Sequence, residues 1–257
     1  MYIDTHAHIY LEAFREDLPD VMDRSRDSGV SRIYLPNIDH TSIDLMLEVE
    51  EQFPGECIAM IGLHPCSVNN GFEQELYIVE EWLGQRKFAG IGEIGTDLHW
   101  DKTFWNEQQE ALKIQLNWAK AFNLPAILHC RDSIDETIEI VAQTKDQNLK
   151  GIFHCFTGNV DQARKIVELG FFLGIGGVST FKNGGLEDVI ADVDLDFMIL
   201  ETDSPYLSPE PYRGKRNEPS RIPLIAEKIA KIRNISVMEV AQKTTVTAEK
   251  IFKYVSI

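Results

Sequence analysis

The sequence has few cysteines, a minority of basic residues and no long apolar run. Four cysteines stand in 257 residues and none forms a CxxC pair, which excludes a disulfide scaffold and is typical of reduced thiols. No stretch approaches the ~18 apolar residues that a membrane span requires, and the N-terminus has no basic and apolar leader. We therefore expect a cytoplasmic protein with no membrane partner.

Basic residues are outnumbered by acidic ones, 25 against 41, which gives a formal net charge of −16. This balance excludes a generic basic coat for nucleic acid or for an anionic membrane, because phosphate would be repelled at long range. Any phosphate partner must therefore be held by a local positive site. With 44% hydrophobic and 26% charged residues, the chain has the composition of a globular protein and not of a disordered one.

Short apolar runs alternate with longer segments of helical period, which is typical of βα units on a parallel sheet. Eight runs are predicted as strands, and 257 residues divided among them leave about 32 per unit, as in closed barrels of about 250 residues. The sequence therefore predicts one α/β domain, residues 1 to 257, folded as a TIM-type (β/α)8 barrel. The strands are expected near residues 2 to 5, 32 to 36, 57 to 62, 88 to 92, 125 to 128, 151 to 153, 171 to 175 and 197 to 200.

The region after the last predicted strand, 204 to 223, contains five prolines. Because long ordered loops tend to be functional, we expect this loop to contribute to a site. Helical segments are predicted around 224 to 233, 236 to 243 and 248 to 255, with Thr247 as the N-cap of the last one.

Histidines and carboxylates recur at the carboxyl ends of the predicted strands, where barrel enzymes build their active sites. Their intervals track the unit length, since 36 residues separate Glu93 from His129 and 25 separate His129 from His154. Alternate residues of a strand face the same way, so His6 and His8 can bind one ion. The candidate metal ligands are His6, His8, Glu93, His129, His154 and Asp203.

A carboxylate among these imidazoles predicts more than one ion. Glu93 can bridge two cations, which indicates a binuclear site with ions ~3.5 to 4 Å apart. Two divalent ions together with Glu93 and Asp203 leave a local charge of about +2, which can attract phosphate because charges beyond about 8 Å are screened. The expected cofactors are two divalent metal ions, Mg²⁺, Mn²⁺ or Zn²⁺.

Two neighbouring features have simpler interpretations. Cys130 and Cys155 each follow a candidate histidine, but adjacent strand residues face opposite sides, so we expect buried thiols and not ligands. The segment from Gly90 to Gly95 fits the GxGxxG pattern of dinucleotide sites, yet it lies in the fourth unit with Glu93 inside it. We interpret its glycines as close packing around Glu93.

Basic and imidazole side chains near the predicted mouth are candidate substrate contacts. Guanidinium groups bind phosphate through paired hydrogen bonds, and four basic residues follow the last strand. A solvated surface loop is the alternative for that segment, and His64 could instead support a metal ligand. The candidate substrate-binding residues are His64, Arg131, Arg213, Lys215 and Arg216.

Six blocks of sequence, spread from residue 3 to residue 219, stand in a specific order. They are IDTHAH from Ile3, GLHP from Gly62, GEIG from Gly92, ILHCRD from Ile127, FHCFTG from Phe153, and ETDSPYL from Glu201 with RGKRNEP from Arg213. Together they resemble the TatD-like metal-dependent deoxyribonucleases, within the amidohydrolase-type barrel hydrolases.

The resemblance implies a distorted eight-fold barrel that hydrolyses DNA phosphodiesters with divalent metal. It implies that Glu93 bridges the ions, and that Asp203 binds metal and orients or deprotonates the attacking water. Two departures stand out. Gly95 to Trp100 reads GTDLHW where the family usually continues Gly-Leu-Asp-Tyr, which alters the substrate-facing wall, and Thr247 replaces a common Asn.

The sequence thus predicts a hydrolase of DNA or oligonucleotides, a 3′–5′ exonuclease on single strands, because a strand end can enter a recessed mouth. Glu93 and Asp203 are the expected catalytic residues, and no obligate protein partner is expected. Two alternatives stay open. One is a metallohydrolase of an amide, lactone or aminoacyl ester on the same scaffold; the other is a non-catalytic protein with a structural metal.

Overall fold

The computed structural model describes residues 1–252 as eight strands and nine α-helices. The strands are β1 (Tyr2–Asp4), β2 (Val30–Leu35), β3 (Cys57–Ala59), β4 (Ile91–Asp97), β5 (Ala126–Arg131), β6 (Gly151–Phe153), β7 (Phe172–Ile175) and β8 (Met198–Leu200). The helices are α1 (Leu18–Asp27), α2 (His40–Gln52), α3 (Phe72–Gln85), α4 (Trp105–Phe122), α5 (Ile134–Thr144), α6 (Val160–Glu168), α7 (Glu187–Asp192), α8 (Ile222–Arg233) and α9 (Val237–Phe252).

The strands pair in parallel in two hydrogen-bonded sheets, one of order β1-β2-β3 and one of order β4-β5-β6-β7-β8. Backbone hydrogen bonds from residues just beyond the neighbouring strands close both seams. At one seam the Gly92 N–H donates to the Ile61 carbonyl at 2.8 Å, and at the other the Thr5 N–H donates to the Leu200 carbonyl at 3.0 Å. The result is a (β/α)8 barrel with two sparsely paired seams, and the predicted fold class is confirmed.

The helices cover the barrel with apolar faces. In α3, for example, Phe72, Leu76, Val79 and Leu83 are buried at helical spacing, as the sequence predicts. A separate buried cluster joins residues of the strands to α9, where the Phe252 ring stacks on Tyr34 with centroids 3.8 Å apart. This packing closes the amino end of the barrel. Among the helices of residues 1–252, none is long and apolar enough to cross a membrane.

The predicted bounds of the fourth strand are wrong. β4 begins at Ile91 and ends at Asp97, so Glu93 lies inside the strand and not just beyond it. The glycines of this segment argue against a strand by propensity, but Ile94 and Thr96 pair with Leu128 and Cys130 of β5. Tertiary pairing therefore overrides the local preference.

The predicted break before Thr247 is also wrong, because α9 runs unbroken from Val237 to Phe252. The Thr247 hydroxyl, which the sequence assigns to a cap, donates instead to the Asp196 carbonyl at 3.3 Å. Buried Thr244, Thr247 and Ile251 continue one helical face across the expected break. Residues 253 to 255 of the predicted last helix lie outside the described residues.

The backbone conformation and the close neighbouring strand at residue 95 require a glycine. It has a φ of +143°, and a Cβ at this position would overlap the carbonyl oxygen of His129 on the neighbouring strand. Neither backbone can move without breaking the β4–β5 pairing that holds Glu93 and His129. No side chain fits here.

We expect Gly95→Ala to lower the free energy of unfolding by at least about 3 kcal/mol, since strain and overlap add. Gly84→Ala is the matched control: this helical glycine has no heavy atom within 4 Å of a built Cβ. It should raise stability by about 0.5 kcal/mol. Urea unfolding of both variants measures the difference, and equal effects would contradict this account.

Candidate metal centre

A cavity of about 730 Å³ opens at the carboxyl ends of the strands. Five of the six predicted metal ligands line it, and His6 lies fully buried beside them. Residues of the cavity wall include His8, His64, Glu93, Trp100, His129, Arg131, His154, Cys155, Asp203 and Tyr206. A second cavity, of about 570 Å³, lies at the opposite end, and its lining among the described residues includes no histidine, cysteine or carboxylate. The ligand chemistry is therefore concentrated at one end of the barrel.

Glu93 lies at the centre of the imidazoles, and its two oxygens face different partners. Oε2 is 3.1 Å from Nε2 of His6 and 3.4 Å from Nε2 of His8. Oε1 is 3.0 Å from Nδ1 of His129, 3.4 Å from Nε2 of His64 and 3.7 Å from Nε2 of His154. Each oxygen thus faces its own group of ring nitrogens.

Asp203 adds a second carboxylate between the two pairs. Its Oδ1 lies 3.8 Å from His6 Nε2, 3.7 Å from His8 Nε2 and 3.9 Å from His154 Nε2. The backbone fixes this arrangement, because the Asp203 N–H donates to the His6 carbonyl at 2.8 Å and the His8 N–H donates to the Ser204 carbonyl at 2.7 Å. The seam between β8 and β1 therefore continues into the site and aligns three of its ligands.

Outer hydrogen bonds decide which ring nitrogens keep a free lone pair. The Tyr10 hydroxyl donates to the Pro36 carbonyl at 2.6 Å and lies 2.8 Å from His8 Nδ1. That nitrogen must then donate to Tyr10, which leaves the lone pair of His8 on Nε2, facing Glu93. His64 has the opposite arrangement, because its Nδ1 accepts from the Cys66 N–H at 3.0 Å. Its Nε2 is then an N–H donor and not a metal ligand.

Two further carboxylates orient the histidines of the other pair. Asp97 Oδ2 lies 2.8 Å from Nε2 of His129, and Glu201 Oε1 lies 3.0 Å from Nδ1 of His154. Both contacts assign the proton to the outer nitrogen, so that the inner one faces Glu93. Gly174 leaves the space for Glu201, since a Cβ there would overlap its carboxylate.

Sequence reasoning missed Asp97 and Glu201, although a signal was present. Both stand at even spacing from predicted ligands, Asp97 four residues after Glu93 and Glu201 two before Asp203. Even spacing places side chains on one face of an extended segment. The signal for Asp97 was lost because the fourth strand was predicted to end too early.

Burial and the surrounding imidazoles shift the pKa of each carboxyl group in opposite directions. Burial favours the neutral form of Glu93, but His64, His6 and His154 outweigh it and hold the pKa of Glu93 well below its usual range. For Asp203, burial dominates over the nearby imidazoles and raises its pKa to about 6. Glu93 is therefore the permanent negative charge of the centre.

The sequence predicts that the basic loop after β8 reaches the cavity, but its basic side chains lie elsewhere. Arg213 lies over the Phe181 ring, 4.1 Å from its centroid, and Lys215 lies 5.9 Å from the centroid of Tyr212. Arg216 donates to Asp17, with both guanidinium nitrogens 2.7 Å from its oxygens. Arg213, Lys215 and Arg216 are absent from the described cavity wall, which includes Arg131 and His64. The ion pair with Asp17 thus occupies the guanidinium of Arg216, one of the predicted phosphate contacts.

The prediction that Cys155 is buried away from the site is wrong. Its side chain is partly exposed and lines the cavity. Strand alternation fails here because β6 ends at Phe153 and Cys155 has a φ of +44°. Burial raises the pKa of the Cys155 thiol well above its usual range, so it stays protonated. Cys130 is buried, as expected, although it also borders the cavity.

Comparison with known proteins agrees with this geometry. The family model described as TatD related DNase matches residues 3–253. The chain belongs to the TatD family. This confirms the resemblance that the six sequence blocks indicate.

Relatives in the TatD family cover nearly the whole chain. YabD of Bacillus subtilis (strain 168), named an uncharacterized metal-dependent hydrolase, is 37% identical over 254 residues, which are 98% of this chain and 99% of that protein. The crystal structure of YjjV, a TatD homologue from Escherichia coli K12, matches with a TM-score of 0.92 at 28% identity, over 99% of this chain and 98% of that one. A TatD family hydrolase from Entamoeba histolytica has the same fold, with a TM-score of 0.83 at 22% identity, over 98% and 97% of the two chains.

The donor set of this TatD-family chain fits divalent metal. Ligands about 2.1 Å from a tetrahedral ion lie about 3.4 Å from one another, and His6 Nε2 lies 3.2 Å from His8 Nε2 and 3.1 Å from Glu93 Oε2. Two adjacent imidazole lone pairs repel each other unless a cation or proton lies between them. The arrangement is therefore the one that a metal ion stabilises.

We expect Asp97→Asn to weaken the binding of Mn²⁺ or Zn²⁺ about 10- to 100-fold, because a neutral amide orients His129 less firmly. Isothermal titration of the metal-stripped protein measures this change. Asp192→Asn, at an exposed partner of Arg164, is the control and should leave the affinity unchanged. Equal affinities for all three proteins would refute the positioning role of Asp97.

Proposed function

We propose that this chain is a metal-dependent hydrolase that cleaves phosphodiester bonds of single-stranded DNA, from the 3′ end. The observation that supports it most is the division of Glu93, with Oε2 facing His6 and His8 and Oε1 facing His129 and His154. One carboxylate that serves two sets of imidazoles is suited to hold two divalent ions, Mg²⁺, Mn²⁺ or Zn²⁺.

The ligands divide into two sets. His6, His8 and Asp203 with Glu93 Oε2 would hold one ion, and His129 and His154 with Glu93 Oε1 the other. When bound, such ions lower the pKa of water and stabilise negative charge on phosphoryl oxygens.

The protein supplies the proton acceptor and the orientation. Asp203 Oδ1 lies between the two sets of imidazoles and is partly accessible from the cavity, with 15% of its side chain exposed. Asp203 accepts the proton of the attacking water. The buried Glu93, with 3% of its side chain exposed, stays ionised and holds the sets together.

The substrate phosphate is recognised by the cavity wall. Arg131 is exposed and lines the cavity, where its guanidinium can donate two hydrogen bonds to a phosphodiester. His64 presents an N–H from Nε2 at the same centre. A recessed mouth of this kind admits a single strand end more easily than a duplex.

We expect EDTA to abolish cleavage of end-labelled single-stranded DNA, and Mg²⁺, Mn²⁺ or Zn²⁺ to restore it. Asp203→Asn should lower kcat about 100-fold or more, because the amide accepts no proton. Asp192→Asn should retain the full rate. Rapid turnover by metal-free enzyme, or by Asp203→Asn, would exclude this mechanism, and cleavage of acyl esters in place of DNA would favour the alternative metallohydrolase.

One paired experiment distinguishes Arg131 from Arg213 as the residue that binds the substrate phosphate. Arg131→Ala should raise KM for the oligonucleotide about 10-fold, since a hydrogen bond to a charged group contributes about 1.5 kcal/mol or more. Arg213→Ala should leave KM unchanged, because this side chain packs on Phe181 outside the cavity. Steady-state kinetics on the labelled strand decides, and the reverse order would show that the loop binds phosphate.

A further inference from the structure

Two large aromatic side chains stand exposed at the mouth of the cavity. Trp100 is 68% exposed and Tyr206 is 53% exposed, and both line the cavity that contains Glu93 and Asp203. Because both rings border the reaction centre, their exposed faces are available to a ligand that enters the cavity.

The Trp100 backbone is anchored below the ring, and two side chains contact the ring itself. The backbone N–H of Trp100 donates to Asp97 Oδ1 at 2.9 Å, the same carboxylate that orients His129. The Arg131 guanidinium carbon lies 5.3 Å from the indole centroid, and the His99 ring meets it edge-on at 4.9 Å. The loop is thus rooted in the reaction centre, and the indole has a partner on two sides.

Tyr206 is rooted in the same way on the other side. Its N–H donates to the Asp203 carbonyl at 2.8 Å, and its own carbonyl accepts from Asn217 Nδ2 at 2.8 Å. Its ring centroid lies 6.4 Å from that of His8. The ring therefore borders the ligands of the first set.

The topology places these rings across the mouth from each other. Trp100 follows β4 and Tyr206 follows β8, and in an eight-stranded barrel in sequential order these positions lie four strands apart in either direction. Glu93 and the imidazoles lie between them. A strand that crosses the mouth would place its phosphate at the centre and one base on each side.

We infer that Trp100 and Tyr206 form a two-sided subsite for the nucleobases that flank the scissile phosphate. The inference rests on the proposed function and adds what the metal centre alone does not provide, a preference for nucleic acid over other esters. Every base has a π face, so stacking of this kind recognises bases without selecting a sequence. Arg131, between Trp100 and the centre, joins base stacking to phosphate binding.

The test compares a 5′-labelled oligonucleotide with two analogues, each lacking the base on one side of the first scissile phosphate. With the Mn²⁺-loaded wild-type protein, either abasic analogue should lower kcat/KM about 5- to 150-fold. Trp100→Leu should lower kcat/KM on the intact strand by a similar factor and be insensitive to the loss of one of the two bases. Tyr206→Leu should show the same insensitivity for the other base, and Trp100→Phe should retain most of the activity.

Tyr77→Leu is the matched control, since this tyrosine is 54% exposed on α3 and is not part of the cavity wall. It should leave every rate unchanged. An RNA strand of the same sequence should show the same base dependence, because stacking does not involve the sugar; cleavage of RNA that ignores both bases would contradict the subsite.

The outcomes separate this inference from the proposed function. If the wild type cleaves all three strands equally, or if Trp100→Leu slows all three by one factor, the subsite is overturned and the hydrolase stands. If the wild type cleaves none of them, fluorescence anisotropy of the labelled strands decides. Binding that depends on the bases and on Trp100 then supports the subsite and overturns the hydrolase; binding without that dependence overturns both.

Discussion

The division of one buried carboxylate between two groups of imidazoles is the constraint on which the rest of the site depends. Glu93 is ionised because the rings around it outweigh the cost of its burial, and the backbone at the strand ends holds rings and carboxylates together. Neither the carboxylate nor the cluster of imidazoles is stable alone, since a buried unpaired charge or a cluster of facing lone pairs would be costly. The remaining features of the site keep the carboxylate and the imidazoles together.

Contacts behind the rings fix the direction of most of the imidazoles. Tyr10, Asp97 and Glu201 lie against the outer nitrogens of His8, His129 and His154. His64 is reversed, because a backbone N–H donates to its outer nitrogen. The imidazoles that line the cavity therefore have two functions, metal binding and hydrogen-bond donation, and the groups behind each ring decide which one it has. Residue type alone does not reveal it.

The sequence predicts the barrel, most of its strands and the six converging donors, because both the hydrophobic period and the spacing of histidines follow the βα unit. It fails where tertiary contacts decide. The glycine-rich β4 is held by pairing with β5, so Asp97 was placed outside the strand. Arg216 is engaged by Asp17, some two hundred residues away in the chain, and no local pattern signals that ion pair. Thr247 has cap chemistry, but the buried face of α9 continues past it.

The seam between β8 and β1 has a consequence for how the protein acquires its chemistry during synthesis. His6 and His8 are synthesised nearly two hundred residues before Asp203 and Ser204, to which their backbone is hydrogen-bonded. A nascent chain therefore holds an incomplete donor set, and the centre forms only when the two ends of the barrel meet.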